Sequence, residues 1–282
     1  MLLGYFRAGG KRFFVSGHFL YVLVAYTILL SALYVLNQIV DIRSDAINKK
    51  HLPLAEGYFP VKHAYVECLV LMGAAVVLTI RLPFVVAVLF IASFLFGVMY
   101  SMPPGKLKTR PILDFTVNAI GYGFLNFSIG WATREPLTFK TIACSLPYIF
   151  AVAAIFVNTT ILDIEGDRKS NYLTTGIFLG RNKALILAVI LILLCIASSI
   201  YVKDLVCLIP AAVALPLFIL AASKRDDKFI LLSIRIGGPM LVLGIGLIFP
   251  YFLVIFLIVF VFLRWYYKKR FGINYPWVSA AD

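Results

Sequence analysis

The chain has 282 residues, of which 62% are hydrophobic and only 14% charged, a balance that excludes a water-soluble domain of ordinary composition and makes the bilayer its solvent. Its formal charge of +13, from 26 Lys plus Arg against 13 Asp plus Glu, would suit nucleic acid in a soluble protein. Here the cations sit between apolar runs, as anchors at a headgroup surface, so membrane lipids and not nucleic acid are the expected partner.

A helix needs about 20 apolar residues, at about 1.5 Å rise each, to cross the hydrocarbon. That measure predicts nine spans, at roughly 14–37, 62–80, 83–100, 112–132, 139–162, 184–202, 204–222, 229–248 and 250–267. The expected fold class is all-α: a polytopic membrane helix bundle of about nine transmembrane helices around a central cavity, with 1–282 as a single domain. The first apolar run is long enough to span and no small-residue cleavage site follows it, so it is expected to remain as an anchor. At Phe249-Pro250 no polar loop separates the last two runs, and one kinked or re-entrant unit is the alternative to two helices. Cys68, Cys144, Cys195 and Cys207 lie in or beside apolar runs without a CxxC pair, and read as small core residues.

Alternating the spans divides the loops between two faces. One face collects eighteen of the 26 Lys and Arg residues, the other seven, and Arg235 falls inside the eighth span. The positive-inside rule makes the first face, with the C-terminus, cytoplasmic, and a cell membrane the expected location.

Five of the carboxylates fall in two short stretches that each end an apolar run, Asn37-Gln-Ile-Val-Asp41-Ile-Arg-Ser-Asp45 and Asp163-Ile-Glu165-Gly-Asp167. Residues four apart share one face of a helix, so Asn37, Asp41 and Asp45 form one stripe, and Asp163 and Asp167 another. Like charges stacked this way repel unless a cation sits among them. Oxygen-only ligands suit a hard ion such as Mg²⁺, which keeps waters and bridges substrate phosphates. A single DxxxD is as readily a solvated helix end. Two copies, separated by four spans and therefore on the same face, point to one functional cavity, because ionisable groups at membrane depth are costly.

Between the stripes, Tyr100-Ser-Met-Pro-Pro-Gly-Lys106-Leu-Lys108-Thr-Arg110 is a tight loop on that face with three cations. They could balance the charge of a bound diphosphate and of the departing pyrophosphate; an anchor loop would explain the cations but not Tyr100 or the paired prolines. Arg43, Lys49 and Arg168 flank the acidic stretches and join Lys106, Lys108 and Arg110 as candidate substrate-binding cations. Asp114, Asn118, Tyr122 and Asn126 recur at steps of four along the fourth span, a polar stripe that should face the bundle interior or bond a neighbouring helix; Asn118 and Asn126 are counted among the candidate substrate contacts. Arg235 is expected to snorkel to the headgroups, with a diphosphate contact as the alternative.

At these residues the sequence resembles the UbiA superfamily of intramembrane prenyltransferases. Asn37, Asp41 and Asp45 fall on its first motif, N(D/Q)xxDxxxD, and Asp163 and Asp167 on its second, DxxxD. Tyr100-Ser-Met-Pro-Pro with Lys106 and Lys108 is similar to its YSxPPxxLK loop. The resemblance implies a helix bundle around a central cavity, Mg²⁺ bridging the Asp-rich motifs to a prenyl diphosphate donor, and an isoprenoid tail in a lipid-facing tunnel. Gln38 and the Leu52-Pro53-Leu54-Ala55 form resemble members that act on homogentisate and related phenols, which implies a lipophilic, aromatic acceptor. Family members usually place two spans before the first motif, whereas one is predicted here, with one more than usual after the second. The rival readings are another acceptor (ether lipid, chlorophyllide, haem or quinone precursor), a terpene cyclase and, outside the class, a cation-coupled transporter with carboxylates nearer the midplane.

Overall fold

A computed structural model describes residues 1–48 and 52–272. Among these described residues, eight helices are long and apolar enough to cross a membrane: α2 (Gly17–Ile47), α3 (Val61–Thr79), α4 (Phe84–Ser101), α7 (Phe139–Leu162), α9 (Thr175–Tyr201), α10 (Leu205–Lys224), α11 (Asp227–Ile248) and α12 (Pro250–Phe271). The ninth predicted span is helical but irregular: α5 (Leu113–Asn118) runs into a π-helical segment (Ala119–Leu125) and then α6 (Asn126–Ala132). The all-α bundle of about nine spans therefore stands among the described residues, and the protein is an integral membrane protein. Two short helices escaped the apolar-run criterion, α1 (Leu2–Arg7) and α8 (Ile164–Lys169).

Local chemistry fixes the helix ends. The Ser16 hydroxyl accepts the Phe19 amide to start α2, Thr138 and Thr141 form a reciprocal capping box at α7, and Asp226 caps α11, each satisfying amides that the first turn leaves without partners. At 31 residues α2 is about 46 Å long, well beyond the roughly 30 Å hydrocarbon core. Its last turns, which bear Asp41 and Asp45, thus emerge from the slab on one continuous helix. In α9 the helical geometry breaks at Gly180, with φ +71° and ψ 158°. A membrane-spanning segment after this kink begins near the predicted residue 184.

The boundary at Phe249-Pro250 is a reversal between two helices: Phe249 ends α11 and Pro250 takes the first position of α12, where its missing N–H costs nothing. The Phe271 ring at the far end of α12 stacks on Tyr58 at 5.3 Å, so α12 returns to the face of the loop that follows the first acidic stretch. The Phe13 amide donates to Ile248 O at the opposite end. No residue of α12 is buried, as suits a helix solvated by lipid.

The largest core cluster joins α1, α7, α9, α10 and α11; a second joins α2, α4 and α6. Far from the acidic stretches, buried Asp204 caps α10 and accepts the Tyr148 hydroxyl at 2.6 Å, while Arg7 approaches to 3.9 Å. Asp204→Ala leaves a buried phenol and two helix amides without an acceptor, at about 1–3 kcal/mol for such a group. Thermal unfolding in detergent should show the variant clearly less stable than the parent, and an unchanged midpoint would refute this role.

Candidate active site

Both acidic stripes line one polar cavity of about 780 Å³. From α2 come Tyr34, Asn37, Gln38, Asp41, Ser44, Asp45 and Asn48, a row at helical steps of three and four. Asp163 and Asp167 face them from the α7–α8 junction, where Asp163 stands between the two helices and the Asp167 amide still donates to Asp163 O at 2.9 Å. The motifs also touch directly. The Gly166 amide donates to the Asn48 side chain at 3.1 Å, and a Cβ at Gly166 would fall 2.1 Å from that Asn48 oxygen. Only glycine admits so close an approach.

The loop between α4 and α5 supplies the cation. Lys108 is buried, and its ammonium donates to Asp41 Oδ1 at 2.5 Å and to Asn37 Oδ1 at 3.4 Å; the Ser101 hydroxyl also donates to Asn37. Burial pulls the Lys108 pKa down against the opposing pull of Asp41. Lys106 lies 5.0 Å over the Tyr172 ring, and Tyr172 lines the cavity, its phenol pKa pushed up by burial and then by Asp41, Asp167 and Asp45.

A clasp at the start of α9 ties these parts together. The Thr174 hydroxyl donates to Asp167 Oδ2 at 3.0 Å, and both the amide and the hydroxyl of Thr175 donate to the carboxylate of Asp114, which is 2% exposed. The Thr175 hydroxyl in turn accepts the Ile112 amide at 2.7 Å. Ile112 has φ +69°, a conformation strained for a β-branched residue by about 1–3 kcal/mol. Its bond to Thr175 thus holds the end of the Lys108 loop.

Not every predicted residue gathers at the carboxylates. Asn37, Asp41, Asp45, Tyr100, Lys108, Asp163 and Asp167 line the polar cavity. Tyr100 lies inside it, bonded to Asn118. Arg43, Arg110 and Arg168 are exposed and stand outside the lining, Arg110 turning to Pro104 O. Lys49 lies outside the described residues. The regular stripe expected along the fourth span is broken by the π segment, which changes the helical phase: Asn118 lines an apolar front chamber of about 250 Å³, while Asn126 lines a rear chamber of about 180 Å³. Arg235, expected to snorkel, lines the polar cavity. Asn48 could have been found by extending the first stripe three residues; Thr174, Thr175 and Tyr172 carried no sequence signal.

A polytopic helical membrane protein with an acid-lined cavity at one face is the class that fold and cavity define. Residues 1–229 match the model of the UbiA prenyltransferase family, and the chain belongs to that family. It is 36% identical over 155 residues to a probable homogentisate phytyltransferase 2, chloroplastic, of Oryza sativa, covering 51% of this chain and 40% of that one. It is 32% identical over 174 residues to a 2-acylphloroglucinol 4-prenyltransferase, chloroplastic, of Humulus lupulus, covering 58% of this chain and 42% of that one. The match thus spans less than half the length of these curated relatives. The fold is similar to that of a UbiA homologue from Archaeoglobus fulgidus solved with GPP and Mg²⁺, with a TM-score of 0.64, 18% identity, and 88% of this chain and 93% of that one covered.

Thr175→Val should remove one donor from the buried Asp114 carboxylate, which keeps the Thr175 and Phe115 amides, and should leave the Ile112 amide without its acceptor, lowering stability in detergent by about 1–3 kcal/mol, while Thr175→Ser should stay near the parent. Equal unfolding midpoints for the valine and serine variants would show that the hydroxyl is not the tie.

Proposed function

We propose that the chain, as one membrane domain over 1–282, transfers a prenyl group from a prenyl diphosphate to a lipophilic, aromatic acceptor within the membrane. The observation that carries this reading is the junction of two environments. The polar cavity with both acidic stripes shares Tyr34, Asn37, Tyr100 and Phe156 with the apolar front chamber, so a diphosphate head and an isoprenoid tail each find a matching surface. The family and the names of the curated relatives support the reaction class and the aromatic acceptor.

The donor set suits Mg²⁺. Asn37, Asp41, Asp45, Asp163 and Asp167 present side-chain oxygens to one cavity, a donor set suited to a hard ion that completes its shell with water and substrate phosphate. When bound there, Mg²⁺ supplies Lewis-acid neutralisation of the diphosphate. The chain's own groups do the rest. Lys108 and Arg235 present positive charge to the oxygens that gain charge as the allylic C–O bond breaks. The apolar front chamber keeps water from the allylic cation until the electron-rich acceptor attacks it. Lys106, Arg43, Arg110 and Arg168 gather diphosphate from outside the lining, and Lys49, outside the described residues, joins them by its place in the sequence. The acidic cavity and the carboxyl end of α12 face the cytoplasm of a cell membrane, by the loop-charge asymmetry.

Detergent-purified protein with a prenyl diphosphate, a phenolic acceptor and Mg²⁺ should give a prenylated phenol by mass spectrometry. Asp41→Asn, which keeps an oxygen acceptor for buried Lys108, and Asp163→Ala should each abolish it with folding retained, chelation should stop it, and Ca²⁺ should substitute poorly because its coordination is longer and looser. Near-normal turnover by either variant would remove the carboxylates from the reaction. Cation-coupled flux of a solute into liposomes without any prenyl product would favour the transporter instead.

Lys108 and the metal compete for one carboxylate, since the ammonium bonds Asp41 Oδ1 directly. Lys108→Met should bind Mg²⁺ alone more tightly, by roughly tenfold, the scale of one lost hydrogen bond to a charged group, yet turn over donor more slowly. Calorimetry with Mg²⁺ and no donor checks the first half; weaker binding would mean that Lys108 assists the ion.

A further inference from the structure

Two aromatic rings stand where the three cavities meet. Phe156, on α7, lines both the polar cavity and the front chamber, and Tyr122, on the π-helical segment, lines both the front and the rear chamber. The rings stack with centroids 6.2 Å apart and planes within 15° of parallel. Their supports are locked together: a Cβ at Gly123 would fall 2.6 Å from Ile149 Cα, so the π segment lies backbone to backbone on the helix that carries Phe156. Tyr122 is thereby placed by main-chain packing and not by a free loop.

Behind the pair, the rear chamber is bounded in part by small residues, among them Ala214, Gly237 and Gly238. A Cβ added at Gly238 would meet nothing within 4 Å. This space is apolar and inside the bundle, and Tyr122 lines both it and the front chamber.

Resting on the prenyl-transfer reading, we infer that Tyr122 and Phe156 form a partition that ends the donor tail in the front chamber and sets the longest isoprenoid the enzyme accepts. Each buried CH₂ of a tail adds favourable transfer from water, so affinity rises with length while the chamber lasts. Beyond the rings a longer tail must displace a stacked pair held by two packed helices. Removing the Tyr122 ring, which lines both, joins the front and rear chambers and extends the channel past Gly238.

The test measures binding of non-hydrolysable prenyl thiodiphosphates of ten, fifteen and twenty carbons to the detergent-purified full chain with Mg²⁺, by calorimetry. Tyr122→Ala, and the milder Tyr122→Leu should alanine fail to fold, is expected to shift the affinity ratio of the twenty- to the ten-carbon analogue at least roughly tenfold toward the longer. Gly238→Leu alone should leave the ratio unchanged, and added to the Tyr122 variant it should erase the gain. A ratio unmoved by the Tyr122 change, or a parent that loses the twenty-carbon analogue on Gly238→Leu alone, overturns the partition. A parent that binds none of the three overturns the donor reading as well, which separates the two failures.

Discussion

A carboxylate is stable in water and costly in hydrocarbon, and this chain carries both its acidic stripes at the ends of helices that cross hydrocarbon. The cost of burying charge at membrane depth dictates much of the architecture. α2 must be long enough for Asp41 and Asp45 to clear the slab; α7 must end at Asp163; and an even number of spans must separate the two so that they clear it on the same side. With those conditions met, repulsion among the carboxylates is relieved by a buried cation from the intervening loop, Lys108 at 2.5 Å from Asp41. The ammonium is itself tolerable at that depth only because it is paired.

The surrounding polar contacts hold three separate chain segments around that charge. Asn48 and Gly166 join the segment after the first stripe to the second, Thr174 secures Asp167, and Thr175 with Asp114 fixes the end of the Lys108 loop. Each contact joins the end of a long helix, α2 or α9, to a short one, α8 or α5. Strain at Ile112 is tolerated because the Thr175 hydroxyl and the buried Asp114 together over-determine the local conformation. Below this polar roof, small residues and aromatic rings line the chambers. The cavity therefore grades from charged to apolar over a short path, as an amphipathic substrate requires.

The π segment has a similar logic within the fourth span. Interrupting a regular helix sacrifices hydrogen-bond geometry, and such interruptions cluster at functional places. Here it turns Asn118 toward one chamber and Asn126 toward another, with Tyr122 at the boundary. A regular helix would have set all three on one face.

Length and hydropathy alone determined the number of spans and most of their limits, because hydrocarbon thickness imposes one helix length on any chain that crosses it. The same one-dimensional logic made the first stripe legible, since Asn37, Asp41 and Asp45 lie on a single straight helix whose period is fixed. Legibility failed where position depends on partners distant in sequence. Nothing in Thr174-Thr175 announces two carboxylates to bind, nothing in the four-residue spacing of the fourth span foretells a π segment, and Arg235 faces the cavity because of how α11 leans on α7, not because of its depth. The exposed Arg43, Arg110 and Arg168 show the converse: charge near a motif in sequence needs a helix face or a loop path to aim it inward. Spans and acidic stripes were thus set by the local periodicity of the chain against the bilayer, whereas the choice of which side chains share one cavity belonged to tertiary packing, which alone brings together residues more than a hundred positions apart.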